Sequence, residues 1–283
     1  MSLDFLTARL ERLKAGNNAL RALDIIRQIR YEVLAEASEM ELISERGIEL
    51  SLQLYGRGLR PFENPDFQDE IYWDGVRAVL VRFLKALAAA GLRDGGLHAL
   101  IRDLEAEAGL VRHLALAALE PDLQHLSYLA AKYGVEAELF RYLVTTPLWP
   151  IFRAIRARLP YHENPVPVRR CLLCGSSYTL GVYRASIRNM LCTVCGHRVH
   201  VDFFWCPNCG NDEPQSQGFL KLEEEPALQV EYCRRCGRYY KFVDEDAAAV
   251  FVEDPVVLDL STVDLDQLGS AAAAEKEAHS GQR

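Results

Sequence analysis

All eight cysteines of the 283-residue chain fall into four C-x-x-C pairs between Cys171 and Cys236. The pairs are Cys171/Cys174, Cys192/Cys195, Cys206/Cys209 and Cys233/Cys236. Each is followed at once by a glycine, at Gly175, Gly196, Gly210 and Gly237. A C-x-x-C-G knuckle is a tight turn that points two thiolates at one metal, and its glycine takes a positive φ at little cost. Two knuckles close one tetrahedral site, so eight thiols are the ligand set for two four-cysteine sites. The expected occupants are two metal ions, iron or zinc, one per site, because all-sulfur tetrahedral sites suit both. Four protein ligands per ion leave no position for water or substrate, which argues against Lewis-acid catalysis at the metal.

Pairing in chain order is the simplest arrangement. Cys171/Cys174 joins Cys192/Cys195 across seventeen residues, and Cys206/Cys209 joins Cys233/Cys236 across twenty-three. Either gap accommodates a two-stranded ribbon, and the ten residues from Cys195 to Cys206 accommodate one crossing strand. Thioredoxin-type chemistry expects its C-x-x-C between a strand and a helix. Here period-two runs flank the motifs: Tyr178–Tyr183, Ile187–Leu191, Val199–Trp205, Phe219–Leu222, Leu228–Tyr232 and Tyr239–Val243.

Upstream of residue 165 the chain has no cysteine and apolar residues recur at helical spacing. Leu20, Leu23, Ile26, Ile29 and Leu34 trace one stripe, and Val76, Val79, Leu80, Phe83, Leu84 and Leu87 another. Further helices are expected near 3–14, 40–54, 94–107, 110–118, 122–132, 136–145 and 149–158, with a loop at Pro61–Pro65. The expected fold is α plus small β. An all-α helical N-terminal domain (residues 1–160) and a proline-marked linker (161–168) precede two tandem rubredoxin-like or zinc-ribbon units of four cysteines each (169–205 and 206–243). Residues 244–283 read as an acidic segment ending in a low-complexity, disordered tail from Ala271.

A hydrophobic content of 49 % suffices for a core, and the net charge of −8 argues against a dedicated nucleic-acid binder. The N-terminus lacks a basic and then apolar leader, and no long run is free of charge, so a cytoplasmic protein without membrane insertion is expected. A reducing cytosol favours metal ligation over disulfides.

The stretch Ile187–Gly210, IRNMLCTVCGHRVHVDFFWCPNCG, resembles the FdhE family of formate dehydrogenase accessory proteins. That family carries four C-x-x-C motifs behind a helical domain, with ten residues between the second and third and a histidine at the place of His200. The block VEYCRRCGRYYKFV (Val230–Val243) is similar to its fourth knuckle and following strand, and Asp254–Asp266 to its Asp-Leu-rich terminal run. The likeness is specific over about a hundred residues. Gly196, His197 and Val199 depart from the family, which often shows an acidic residue and a tryptophan before the histidine. The resemblance implies a cytoplasmic assembly factor that contacts the catalytic subunit of formate dehydrogenase and assists its maturation or redox state. It implies no enzyme activity of its own. A homodimer is left open. Two other classes compete: a zinc-ribbon nucleic-acid-binding protein and a rubredoxin-like electron carrier.

His200 reads first as a ribbon histidine bonded to backbone and second as a ligand or client contact, and His197 is read alike. Arg169, Arg170, Arg184, Arg188, Arg198, Arg234, Arg235 and Arg238 read as charge balance around the thiolates before a nucleic-acid face. Leu148, Trp149, Ile151, Phe152 and Ile155 read as core before a docking patch. No catalytic residue and no cofactor-binding loop is assigned.

Overall fold

The computed structural model describes residues 4–92, 95–120, 124–160 and 163–280. Among these described residues, ten α-helices come first: α1 (Phe5–Lys14), α2 (Asn18–Ala37), α3 (Glu45–Gly56), α4 (Pro65–Gln68), α5 (Trp73–Ala89), α6 (Gly95–Ala106), α7 (Leu110–Leu119), α8 (Gln124–Lys132), α9 (Ala137–Thr145) and α10 (Trp149–Arg156). Six strands follow: β1 (Leu180–Arg184), β2 (Ile187–Leu191), β3 (Arg198–His200), β4 (Gln217–Lys221), β5 (Leu228–Cys233) and β6 (Tyr239–Asp244). Helices α11 (Pro255–Ser261) and α12 (Leu265–Ser280) close the described chain. No helix among the described residues is long and apolar enough to cross a membrane.

The chain divides into two compact units. The helical unit comprises Asp24–Leu159 with Leu172–Ser176, and the ribbon unit comprises Met1–Leu23, Pro160–Cys171 and Ser177–Arg283. The helical unit begins later than the expected residue 1. Within it the α5 stripe is buried as its spacing predicts, from Val76 to Leu87. Leu148, Ile151, Phe152 and Ile155 are fully buried, so the core reading of that segment holds. Trp149 is half-buried, with the guanidinium carbons of Arg30 and Arg156 4.5 and 4.8 Å from its ring centroid.

Two local expectations are corrected there. Pro61–Glu63 forms a 3₁₀ turn and Pro65–Gln68 a helical turn, where a loop was expected. Proline stands at the first position of each, and Asn64 caps the second by accepting from the Phe67 amide at 3.0 Å. In α2, Leu20, Ile26 and Leu34 of the expected stripe are buried, but Leu23 is not. Leu23 and Ile25 are exposed, whereas Asp24 and Arg30 are buried beside Ile26, Val33 and Leu34. The Asp24 carboxylate is satisfied by Arg27 Nε and Gln28 Nε2, each at 2.9 Å, which makes a buried acid tolerable.

The ribbon unit is built on one six-stranded sheet of order β3-β2-β1-β6-β5-β4. Two antiparallel three-stranded pieces are joined through a parallel β1–β6 pairing, with Leu180 opposite Lys241 and Val182 opposite Val243. The two tandem four-cysteine units therefore share a continuous sheet. Glycines fit under large rings along it: a Cβ on Gly181 would collide with the Phe242 ring, and one on Gly218 with the Tyr232 ring. Gly181→Ala is expected to cost about 1–3 kcal/mol of stability through overpacking, read from the denaturant midpoint.

One face of the sheet carries Leu180, Val182, Leu191, Leu228, Val230 and Val243. Leu6 of α1, Leu258 of α11 and Leu265 of α12 cover it. Helix α1 thus belongs to the ribbons rather than to the helical domain. Its buried Arg9 donates to Glu225 at 2.6 Å, to both Asp264 oxygens at 2.8 and 2.7 Å, and to the Ser261 carbonyl. Lys241, also buried, lies 2.6 Å from Asp259 and 3.1 Å from Asp266. The acidic run after residue 244 supplies counter-charges for two cations buried against the sheet. Expected disorder from Ala271 is corrected as well: α12 continues to Ser280, and residues 281–283 lie outside the described part. An alanine-rich run is low in complexity yet high in helix propensity.

The opposite face carries a buried ion pair. Arg188 and Glu231, 3 % and 4 % exposed at the side chain, meet at 2.9 Å. Tyr183 and Gln229 also donate to the Glu231 carboxylate, and Arg188 donates to the carbonyls of Asp202 and Trp205. Arg188→Met leaves Glu231 buried without its cation and is expected to cost about 3–5 kcal/mol. Adding Glu231→Leu should recover much of that loss in a double-mutant cycle followed by chemical denaturation.

Candidate metal centres

The knuckles of Cys192, Cys206 and Cys233 repeat one backbone hydrogen-bond pattern. In each, the first cysteine's amide donates to the carbonyl five residues on: Cys192 to His197, Cys206 to Asn211 and Cys233 to Arg238, at 2.8–3.0 Å. The glycine amide returns to the first cysteine's carbonyl, from Gly196, Gly210 and Gly237 at 2.8–2.9 Å. All four glycines hold positive φ, from 68° to 82°. A side chain there would be strained, which is why each pair needs its glycine.

Sequential pairing is what the geometry shows. The sulfurs of Cys171, Cys174, Cys192 and Cys195 lie within 4.8 Å of one another, and so do those of Cys206, Cys209, Cys233 and Cys236. None of the eight is in a disulfide. Cys171 and Cys195 are 3.4 Å apart, Cys206 and Cys236 3.7 Å, and Cys209 and Cys233 3.8 Å. A tetrahedral ion with metal–sulfur bonds of about 2.3 Å sets sulfur–sulfur edges of about 3.8 Å. Both groups fit a four-coordinate ion and can hold one each.

The two centres differ in their surroundings. At the first, Ser176 Oγ lies 3.3 Å from Cys174 Sγ and accepts from Arg141 at 2.7 Å, and His197 Nδ1 lies 3.9 Å from Cys171 Sγ. At the second, the buried Tyr240 hydroxyl is 3.4 Å from Cys206 Sγ and accepts the Asn208 amide at 3.1 Å. Without metal, the second centre shares its protons unevenly. The Cys206 thiol is pulled down to about 4, chiefly by the hydrogen bond from Cys233 and then by Tyr240, against the opposing effect of burial. Cys233 is pushed up, chiefly by that same bond and by burial. Burial raises Cys209. A metal dication replaces the protons that hold such a cluster together.

His200 is bonded to backbone: its Nδ1 lies 2.9 Å from the Glu163 carbonyl, and its own carbonyl accepts the Val166 amide at 2.9 Å. The linker thus runs along β3, although residues 161 and 162 of it lie outside the described part. Several arginines also serve internal acceptors. Arg169 binds the Asn208 carbonyl, Arg198 clamps Glu245, Arg234 binds the Gln215 carbonyl and Arg235 binds Asn211. Arg141, Ser176 and Tyr240 escape sequence reading. Tyr240 alone leaves a trace, as a member of the strand after the last knuckle, and nothing in the sequence links Arg141 to a sulfur.

No family model matches the chain. A curated protein named "Protein FdhE homolog" from Aquifex aeolicus is 24 % identical over 144 residues, covering 47 % of this chain and 48 % of that protein. The match thus spans about half the length of that relative. The crystal structure of the FdhE protein from Pseudomonas aeruginosa superposes with a TM-score of 0.62 at 20 % identity, over 94 % of this chain and 90 % of that one. The chain resembles the FdhE proteins in sequence and has their fold. The structural likeness extends over the helical residues as well. It also bears out the expected class, helices followed by tandem four-cysteine ribbons.

Proposed function

We propose that this chain is a formate dehydrogenase accessory protein that binds the enzyme's catalytic subunit and assists its maturation or redox state. It acts in the cytoplasm as a binding and assembly factor and not as a catalyst. The observation that carries this reading is the near full-length likeness of fold to an FdhE protein, combined with the two sulfur groups in the ribbon sheet. Each group holds one iron or zinc ion through Cys171, Cys174, Cys192 and Cys195, or through Cys206, Cys209, Cys233 and Cys236. The ions fix the knuckles and, if they are iron, can also cycle one electron.

A tagged chain recovered anaerobically from formate-grown cells should bring down a formate dehydrogenase catalytic subunit. A preparation from which that subunit is missing removes the main support. The nucleic-acid reading is disfavoured by the arginines already engaged with internal acceptors. The electron-carrier reading is decided by anaerobic metal analysis with an absorption spectrum, since ferric thiolate sites absorb visible light and zinc sites do not.

A further inference from the structure

We propose that the two centres have different jobs: the Cys206/Cys209/Cys233/Cys236 centre exchanges its metal with external soft ligands, and the other is closed and structural. This rests on the reading that both groups bind metal.

The first observation is exposure. Cys171, Cys192 and Cys195 are fully buried and Cys174 is 2 % exposed. At the second centre Cys206 and Cys233 are fully buried, whereas Cys209 and Cys236 are only half-buried. These two are the second cysteines of their knuckles, so one edge of the sulfur tetrahedron belongs to half-buried residues and the opposite edge to fully buried ones. Thiolate-for-ligand replacement at a four-coordinate ion proceeds through an added fifth ligand, which needs an open edge of this kind.

The second observation is what backs the sulfurs. Behind Cys174 stands the Ser176 hydroxyl, held in turn by Arg141, which also donates to the Ala118 carbonyl at 3.0 Å. A Cβ on Gly175 would meet Arg60 Cδ at 3.3 Å and the Leu119 carbonyl at 3.4 Å, so that knuckle is tightly packed on its outer side. At the second centre the two knuckles differ: a Cβ on Gly210 would meet the Trp205 ring at 3.3 Å, whereas one on Gly237, beside Cys236, would meet only the Ala273 carbonyl, at 3.8 Å. At the second centre the Tyr240 contact lies on the buried Cys206. The ligand class that fits the edge is a compact soft donor, such as a thiolate of a partner or a small chelator.

The test uses the full wild-type chain loaded anaerobically with zinc. Metal analysis first counts the ions: two equivalents are expected, and none would overturn the metal reading itself. The loaded protein is then mixed with the chromophoric chelator 4-(2-pyridylazo)resorcinol, while samples are alkylated with iodoacetamide and mapped by mass spectrometry. One equivalent should leave at least about tenfold faster than the other, with Cys209 and Cys236 modified in step with it. Release of both equivalents in one phase overturns the inference and leaves the metal reading intact. So does modification of Cys171, Cys174, Cys192 or Cys195 during the faster phase. Cys209→His, which keeps a ligand at the open edge, should change the fast phase and leave the slow one within about twofold.

Discussion

Replacing Cys192 and Cys195 together by serine is expected to remove one of two metal equivalents and to unfold the β1–β2 ribbon. The second knuckle supplies half the ligands of the first centre and follows directly on β2. Its loss leaves Cys171 and Cys174 buried with no ion to organise them. Structural zinc contributes on the order of 10–16 kcal/mol in small zinc modules, comparable to the whole stability of an ordinary domain at about 5–15 kcal/mol. Because β1 also pairs with β6, damage should spread to the second ribbon. Metal analysis and circular dichroism check this, and a variant that keeps two equivalents and an unchanged melt would show that the first centre is not built as described. If the metals organise the client-binding surface, recovery of formate dehydrogenase should fall with the metal.

Acidification is expected to weaken metal binding steeply at the second centre. Ions bind thiolates, so each thiol that is protonated in the metal-free protein must release its proton on binding. Cys233 is raised above the ordinary thiol range chiefly by the bond to Cys206, and Cys209 chiefly by burial, so both carry protons at neutral pH. Cys206, lowered to about 4, is already a thiolate there. Between about pH 5 and pH 8 at least two protons leave as an ion enters, and affinity should rise at least about a hundredfold per pH unit. The sign follows directly: lower pH favours the thiols and releases metal. Competition with a chelator of known affinity across about pH 6 to 8 measures the slope. A slope near zero would mean that the cluster is pre-ionised and that its proton sharing is not as the geometry indicates.

The parts of the fold that were legible are those set by short-range chemistry. Knuckle pairing follows from ligand count and gap length, because a metal must be enclosed by whatever hairpin the intervening residues can form. The α5 stripe is legible because every core position along it is apolar. The α2 face is legible only in part, since its burial includes Asp24 and Arg30 beside Leu20, Ile26 and Leu34, and polarity hides those two from a hydrophobic pattern. The proline-rich 61–65 segment misleads for a related reason. Proline breaks helices in general, but it starts them when it stands at the first position beside a capping Asn64.

The membership of α1 and the role of the acidic tail were out of reach. Arg9 meets partners more than two hundred residues away, and no local pattern announces such a contact. The same holds for Arg141, which reaches Ser176 beside Cys174.

By itself, the sequence determined that there are two four-sulfur groups, how their cysteines pair, and that helices precede the ribbons. Ligand chemistry and side-chain periodicity act over a few residues, so composition and spacing suffice. Only the tertiary structure decided that a parallel β1–β6 pairing fuses the ribbons into one sheet. It also decided that Cys209 and Cys236 stay half-buried while the sulfurs of the first group are enclosed. Four C-x-x-C-G motifs of one pattern carry no information on which of them will be covered, because burial depends on what distant residues pack against each one.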